Sequence, residues 1–170
     1  MIVKSINIRP SAVEDISSIV RVRLRAITEQ EIKGFSVPEF ACYSSIEILR
    51  TKWDKDNRLK DGFEVFVAED EGRIVGFIVF KLKRNYGYID NIVVAKDEEK
   101  KGIGRKLVGY VETYAKSQGM NKIMTDTTEN ANGIPWRSYN FWLRLGYKDI
   151  GKRLSTKYDF KEIPLVKKMN

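Results

Sequence analysis

The chain has 170 residues, 42% hydrophobic and 32% charged, the balance of a soluble globular protein of one domain, 1–170, rather than of a disordered, fibrous or membrane-embedded one. Its single cysteine, Cys42, excludes an internal disulfide and a cysteine-rich metal site, and its lack of histidine removes the commonest zinc ligand and the usual neutral-pH base. A formal charge of +8 favours anionic partners: nucleic acid, an acidic protein or a multiply phosphorylated small molecule.

The opening MIVKSINIRP alternates as a strand does over residues 3–9. It lacks the apolar core of a signal peptide, and no apolar run in the chain is long enough to cross a bilayer, so a cytoplasmic location is expected. Ser11-Ala12-Val13-Glu14 matches a capping box, with Ser11 at the cap and Glu14 three residues on. Ile16, Ile19, Val20, Leu24 and Ile27 then line one helical face. Residues 28–44 have no clear period and contain Gly34 and Pro38, which reads as a long loop. A second helix follows, with Ile46, Leu49 and Trp53 inward, closed by the charged linker DKDNRLKDG.

A meander comes next. Phe63–Glu69 and Ile74–Leu82 are strand-like and joined by the turn Asp70-Glu71-Gly72-Arg73. Arg84-Asn85-Tyr86-Gly87 makes another turn into a strand at Tyr88–Val94. That strand runs through a charged loop to Gly102-Ile103-Gly104. An amphipathic helix then places Ile103, Leu107, Val108, Val111, Tyr114 and Ala115 on one face. A strand that passes through a glycine-bearing loop into a helix start aims backbone N–H groups and the positive end of the helix dipole at one point. This is a receptacle for a phosphate. Gly102 and Gly104 lack a Cβ and allow close approach, and Lys100, Lys101 and Arg105 add charge.

Lys122–Thr128 is a further short strand. Pro135 is expected in the first turn of a helix whose inner face carries Tyr139, Trp142 and Leu145 and whose C′ residue is Gly146. Strand-like runs at Tyr147–Ile150 and Tyr158–Met169 complete the chain. The three middle strands should pair antiparallel. The helix after Gly104 is a crossover, so Lys122–Thr128 should lie parallel to Tyr88–Val94.

In order and spacing, INIRPSAVEDISSIV, IVVAKDEEKKGIGRKL and FWLRLGY resemble the GNAT superfamily of acyl-CoA-dependent N-acyltransferases. The resemblance spans nearly the whole chain. It implies an α/β mixed sheet of about seven strands with splayed central parallel strands and about four flanking helices. It implies acetyl-CoA as cosubstrate, with its pantetheine arm against the backbone of Ile92, Val93 and Val94. Its pyrophosphate would lie among Lys100, Lys101, Gly102, Ile103, Gly104 and Arg105. No metal is implied.

The chain departs from the family pattern in three places. Glu99 stands where the family loop usually has Arg or Gln, and Lys100 where a further glycine is common. Trp142 occupies the position of a tyrosine that often protonates the departing thiolate, and an indole N–H is not a useful acid. Tyr139, one turn earlier, is the candidate replacement, with core packing as the competing reading. The asparagine that commonly bonds pantetheine has no direct match; Asn132 and Asn130 are the nearby candidates.

The resemblance makes the acceptor an amine, of a protein or a small molecule. A lysine-like amine has a pKa of about 10.4 and must lose a proton before it attacks the thioester. The preferred base is Asp90, then Asp126 on the facing strand, then Glu69, against the reading of each as a salt-bridged or solvated strand acid. The backbone N–H of Val94 is the candidate oxyanion donor. Phe35, Phe40 and Tyr43 could wall an acceptor pocket, with Glu29, Glu31 or Glu39 attracting a cation. Two other functions compete: a non-catalytic acyl-CoA-binding module, and a basic RNA- or ribosome-associated protein. The latter has no recognition signature beyond net charge. An edge strand near the C-terminus offers a route to a homodimer.

Overall fold

The apolar and β-branched runs assemble into one eight-stranded sheet in the computed structural model, which describes residues 5–26, 46–54, 56 and 58–170. The strands are β1 (Asn7–Pro10), β2 (Glu64–Asp70), β3 (Arg73–Leu82), β4 (Gly87–Val94), β5 (Lys122–Asn130), β6 (Lys148–Asp149), β7 (Leu154–Ser155) and β8 (Phe160–Lys168). The helices among the described residues are α1 (Ile16–Ala26), α2 (Ile46–Lys52), α3 (Ile103–Ser117) and α4 (Ser138–Arg144). The sheet order is β1-β2-β3-β4-β5-β8-β6, with the two-residue β7 also on β8. Every pairing is antiparallel except β4 with β5, the pair that the α3 crossover makes parallel.

Each face of the sheet carries its own core. On one, α1 and α2 bury Ile16, Ile19, Val20 and Leu49 against Val67, Phe77, Val79 and Val93. On the other, α3 lays Ile103, Leu107, Val108, Val111 and Ala115 over Phe66, Ile78, Phe80 and Ile89. Each such side chain, fully buried, contributes roughly 1.5–3 kcal/mol relative to exposure.

Three local expectations need correction. Leu24 is 61% exposed; the inward stripe of α1 runs Ile16, Ile19, Val20, Arg23 and Ala26, which puts position 24 outside it. Ser11 does not cap. The turn at Val13–Asp15 is capped from Asp15, whose carboxylate accepts from the Ala12 N–H at 2.8 Å while Arg9 holds it from outside at 2.7 Å. Pro135 lies before the helix, not in its first turn. Residues 131–136 fold back on β5, where Trp136 N–H donates to Thr128 O at 2.7 Å and Pro135 bridges Glu129, so α4 starts only at Ser138. The eight strands agree with the mixed sheet of about seven that was expected, β6 and β7 being only two residues long.

Gly146 does close α4 as its C′ residue. Its φ of +88° lets its N–H reach Leu143 O at 3.0 Å and that of Tyr147 reach Trp142 O at 3.1 Å.

Candidate active site

A fork in the sheet creates the site. β4 and β5 pair only through Gly87↔Ile123, Tyr88↔Met124 and Ile89↔Thr125. Thr125 Oγ1 donates to Ile89 O at 3.0 Å at the last of these. Beyond that point β5 stays in register with β8 along its whole length, from Lys122↔Lys168 to Asn130↔Phe160. β4 stays with β3, through a bulge: Phe80 faces Ile89 and Val79 faces Asn91, leaving Asp90 as the extra residue. The bulge reverses the alternation, so Ile92 and Val94 rejoin Ile89 over the α3 core and Val93 faces the other one. The two halves of the sheet part there, and a cleft of about 620 Å³ opens between them.

The cleft is walled by Asp90, Asn91, Ile92, Val93 and Val94 from β4 and by Thr125, Asp126, Thr127 and Thr128 from β5. α4 adds Ser138, Phe141 and Trp142, and α1 adds Arg23 and Ala26. Arg23 is a buried cation, 4% exposed, in the middle of an otherwise apolar stripe. Thr127 and Ser138 share a hydroxyl hydrogen bond of 2.7 Å that ties β5 to α4.

One end of the cleft is the glycine loop. After β4 the chain makes a short 3₁₀ turn at Lys96–Glu98 and then passes through two left-handed residues, Lys100 with φ +63° and Gly102 with φ +81°. Gly102 is the N-cap of α3 and offers no side chain to the first-turn amides. A Cβ on Gly102 would meet nothing within 4 Å, so the glycine serves the backbone turn. A Cβ on Gly104 would meet the Phe141 ring at 3.2 Å, so that glycine admits α4 to the helix start. Lys100, Gly102, Ile103, Gly104 and Arg105 all line the cleft.

Lys101 does not. Its Nζ donates to Glu98 at 2.8 Å, and Arg73 donates to the same carboxylate at 2.6 Å. Glu98 is 5% exposed, and the Lys101 and Arg73 bonds hold its carboxyl below the usual carboxylate range. It ties the loop to β3 through Arg73 and itself lines the cleft. Glu99 accepts from Arg137 Nη1 at 2.8 Å and faces Lys96 at 3.8 Å.

The carboxylate candidates separate. Asp90 is exposed on the bulge and lines the cleft. Asp126 also lines it, is half-buried, and accepts a hydrogen bond from the Tyr88 hydroxyl. Burial pushes the Asp126 carboxyl up to about 6; Glu162 and Asp90 push the same way, and the Tyr88 bond opposes them. The Tyr88 phenol is pushed well above its ordinary value by burial and by Asp126. Glu69 lies elsewhere, bound to Arg9 at 2.9 Å.

Tyr139 is not brought to the cleft either. Its hydroxyl donates to Asp149 at 2.9 Å, on the β6 side of α4. That bond and burial raise its pKa. Trp142 is 2% exposed and packs edge-on against Phe141 and Tyr147 at centroid distances of 5.0 Å. Asn130 ends β5 and Asn132 lies in the turn after it, Asn132 N–H donating to Asn130 Oδ1 at 3.0 Å, and neither lines the cleft. Phe35, Phe40, Tyr43, Glu29, Glu31, Glu39 and Cys42 lie outside the described residues.

Sequence reasoning missed Tyr88, Arg23, Arg137 and the Thr127–Ser138 pair. Two signals were present: an arginine set in an apolar helical stripe, and the alternation Thr125, Thr127 on a strand face otherwise apolar at Ile123.

The comparisons with known proteins agree with this geometry. Residues 25–147 match the model of the acetyltransferase (GNAT) family. No curated protein matches the chain by sequence. Among solved structures, the PaiA N-acetyltransferase of Thermoplasma acidophilum in complex with coenzyme A superposes with TM-score 0.72 at 19% identity, over 96% of this chain and 99% of that one. The smu.2055 protein of Streptococcus mutans gives 0.72 at 21% identity, over 96% and 99%. The ribosomal-protein-S18-alanine N-acetyltransferase of Escherichia coli gives 0.67 at 14% identity, over 97% and 94%.

Proposed function

The chain belongs to the GNAT acetyltransferase family and is an acyltransferase, and from that premise we propose that it transfers the acetyl group of acetyl-CoA to a primary amine, with both substrates bound together. The observation that carries the reading is the fork. Strand β4 leaves β5 after Ile89, so the stretch Asp90–Val94 faces a cleft that ends at a glycine-bearing helix start. A cosubstrate with an amide-rich arm and a diphosphate finds complementary groups in that order: a strand edge for the arm, then main-chain N–H groups, Lys100 and Arg105 for the anion.

The residues divide the chemistry as follows. Acyl transfer forms a C–N bond and breaks a C–S bond, and the amine sheds a proton. Asp126 receives that proton, directly or through one water. With a pKa of about 6 it is ionised at neutral pH and far more basic than an ordinary carboxylate. Asp90, across the cleft, helps to hold that value up and attracts a cationic acceptor. The Val94 N–H is the oxyanion donor. No dedicated acid is assigned to the thiolate in this reading. A thiol of pKa about 8.5 leaves as its anion at modest cost near neutral pH. Orienting the two substrates supplies much of the acceleration.

The test is calorimetric titration with acetyl-CoA, followed by thiol release from acetyl-CoA across a panel of amines. Saturable binding with amine-dependent release is the expected result. Binding without release from any amine would leave the non-catalytic module as the better reading, and absence of binding by folded protein would sink both.

A further inference from the structure

Glu99 places a negative charge three positions before Gly102, beside the loop expected to hold an anion. The structure brings a cation to it from another element. Arg137, immediately before α4, donates from Nη1 to Glu99 Oε1 at 2.8 Å and from Nη2 to the Ala26 carbonyl at 2.9 Å. Its guanidinium carbon also lies 5.7 Å from the centre of the Trp136 ring. Hydrogen bonds to two other segments and the neighbouring indole thus fix the orientation of a group that would otherwise sample many rotamers. Arg137, Glu99, Ala26 and Trp136 all line the same cleft as Gly102 and Gly104. The Arg137 side chain keeps 38% of its surface exposed there.

Resting on the acetyl-CoA reading above, we propose that Arg137 is a phosphate-binding residue for the coenzyme, delivered to the glycine loop from the start of α4 and positioned by Glu99. A guanidinium has five donors in a planar fork and binds carboxylate and phosphate oxygens with the same geometry. A carboxylate at position 99 holds that fork at the loop in the absence of ligand. An arginine at position 99 would place its cation on a loop side chain; here the charge arrives on a side chain braced by Ala26 and Trp136. Glu99 is therefore a positioning residue, and its charge is offset locally rather than set against the ligand.

Calorimetry with coenzyme A tests this on four proteins: wild type, Arg137→Gln, Glu99→Gln and the double variant. The expected result is an affinity loss of about tenfold for Arg137→Gln in the wild-type background, the size of one charge-assisted contact, and a smaller loss of about threefold in the Glu99→Gln background, where Arg137 is no longer held at the loop. If Arg137 only neutralises Glu99, its replacement costs affinity in the wild-type background and nothing once Glu99 is gone; that outcome overturns the proposal. An unchanged affinity in Arg137→Gln overturns it as well. Arg137→Lys, which keeps the charge without the fork, should fall between wild type and Arg137→Gln. Thermal melting of each variant separates lost binding from lost folding. Failure of the wild type itself to bind coenzyme A would instead count against the acetyl-CoA reading.

Discussion

At its first three residues β4 is a closed ladder with β5, and Ile89 and Ile123 are 1% and 0% exposed over the α3 core. Over its last five residues the same strand is one wall of a cleft, with Asp90 exposed and Asn91, Ile92 and Val94 half-buried. The backbone is extended in both halves, so secondary structure does not separate them. The bulge at Asp90 does, together with the allegiance of β5 to β8. At the closed end the strand's polar groups are satisfied by the neighbouring strand, and side chains determine stability. At the open end β5 no longer pairs with the strand, and its edge and side chains line the cleft that we propose acetyl-CoA fills.

The sharpest way to break this contrast is a pair of truncations on the same strand and the same face. Ile89→Ala should destabilise the protein by about 2–5 kcal/mol, because a fully enclosed side chain leaves a cavity that the sheet cannot collapse around. Ile92→Ala, at the rim of the cleft, should cost roughly 1 kcal/mol. Urea unfolding midpoints at constant m-value give both numbers. Equal losses would mean that the open end is as much part of the core as the closed one.

This contrast also explains what could be read from the chain alone. The strands, the α3 stripe and the parallel β4–β5 pair were legible, because periodicity and the crossover rule report on buried faces. The glycine loop was legible because the left-handed turn at Gly102 calls for a residue without a Cβ. The bulge was not: Ile89, Asp90, Asn91 and Ile92 read as an unbroken strand, and only register with β3 shows the extra residue. Tyr88 and Asp126 were separately visible, but their hydrogen bond spans 38 positions and depends on the two strands lying side by side. Tyr139 shows the limit of helical spacing as a guide. It shares a turn with Trp142, yet its hydroxyl is taken by Asp149, which the β6 strand carries to the far side of α4. The Arg137–Glu99 bond is likewise a product of three-dimensional closure.

Next in size is Asp126→Asn, at the mouth of the fork. The folded carboxyl titrates at about 6, against an ordinary value of 3.8, so the folded state binds this proton more tightly than the unfolded one. Stability from this group is therefore greatest below pH 3.8, falls as the pH rises to about 6 and is level above that. The uncharged variant escapes the loss and should be more stable than wild type at pH 7 by on the order of 2 kcal/mol. Its thiol-release rate with a competent amine should fall about 100-fold or more, and the acid limb of the pH–rate profile near pH 6 should disappear. Asp90→Asn should keep that limb and shift it to lower pH, since one of the charges that raise Asp126 is gone. A stability gain in Asp126→Asn with an unchanged rate would make Asp126 a bystander.

Gly102→Ala acts on the other side of the open end. Nothing would touch the new methyl, but φ of +81° is left-handed, and an L-residue there costs about 1–2 kcal/mol. The melting temperature should fall by a few degrees, as expected for about 1 kcal/mol in a domain of this size. If the loop relieves the strain by turning its amides, coenzyme A affinity should fall about tenfold, the worth of one good charge-assisted bond. A loss of stability with full affinity would show that side-chain cations, not the backbone, carry the anion.

The smallest effect is at the fork point itself. Thr125 is the last β5 residue in register with β4, 3% exposed, and its hydroxyl donates to the Ile89 carbonyl at 3.0 Å. Thr125→Val keeps the shape and removes that bond, which should cost about 1 kcal/mol. Thr127→Val, two residues into the open half, removes the bond to Ser138 instead, at similar local cost. The two should differ in what else they change. Without the Thr125 hydroxyl the pair β4–β5 is free to open further back, so amide exchange at Ile89 and Thr125 should quicken while that at Phe80, in β3 and paired with Glu64 of β2, should not. Thr127→Val should leave exchange at the fork unaltered and loosen α4. Equal exchange behaviour in the two variants would mean that the fork is set by the bulge and by β8 alone, with the threonine only filling the space where the strands divide.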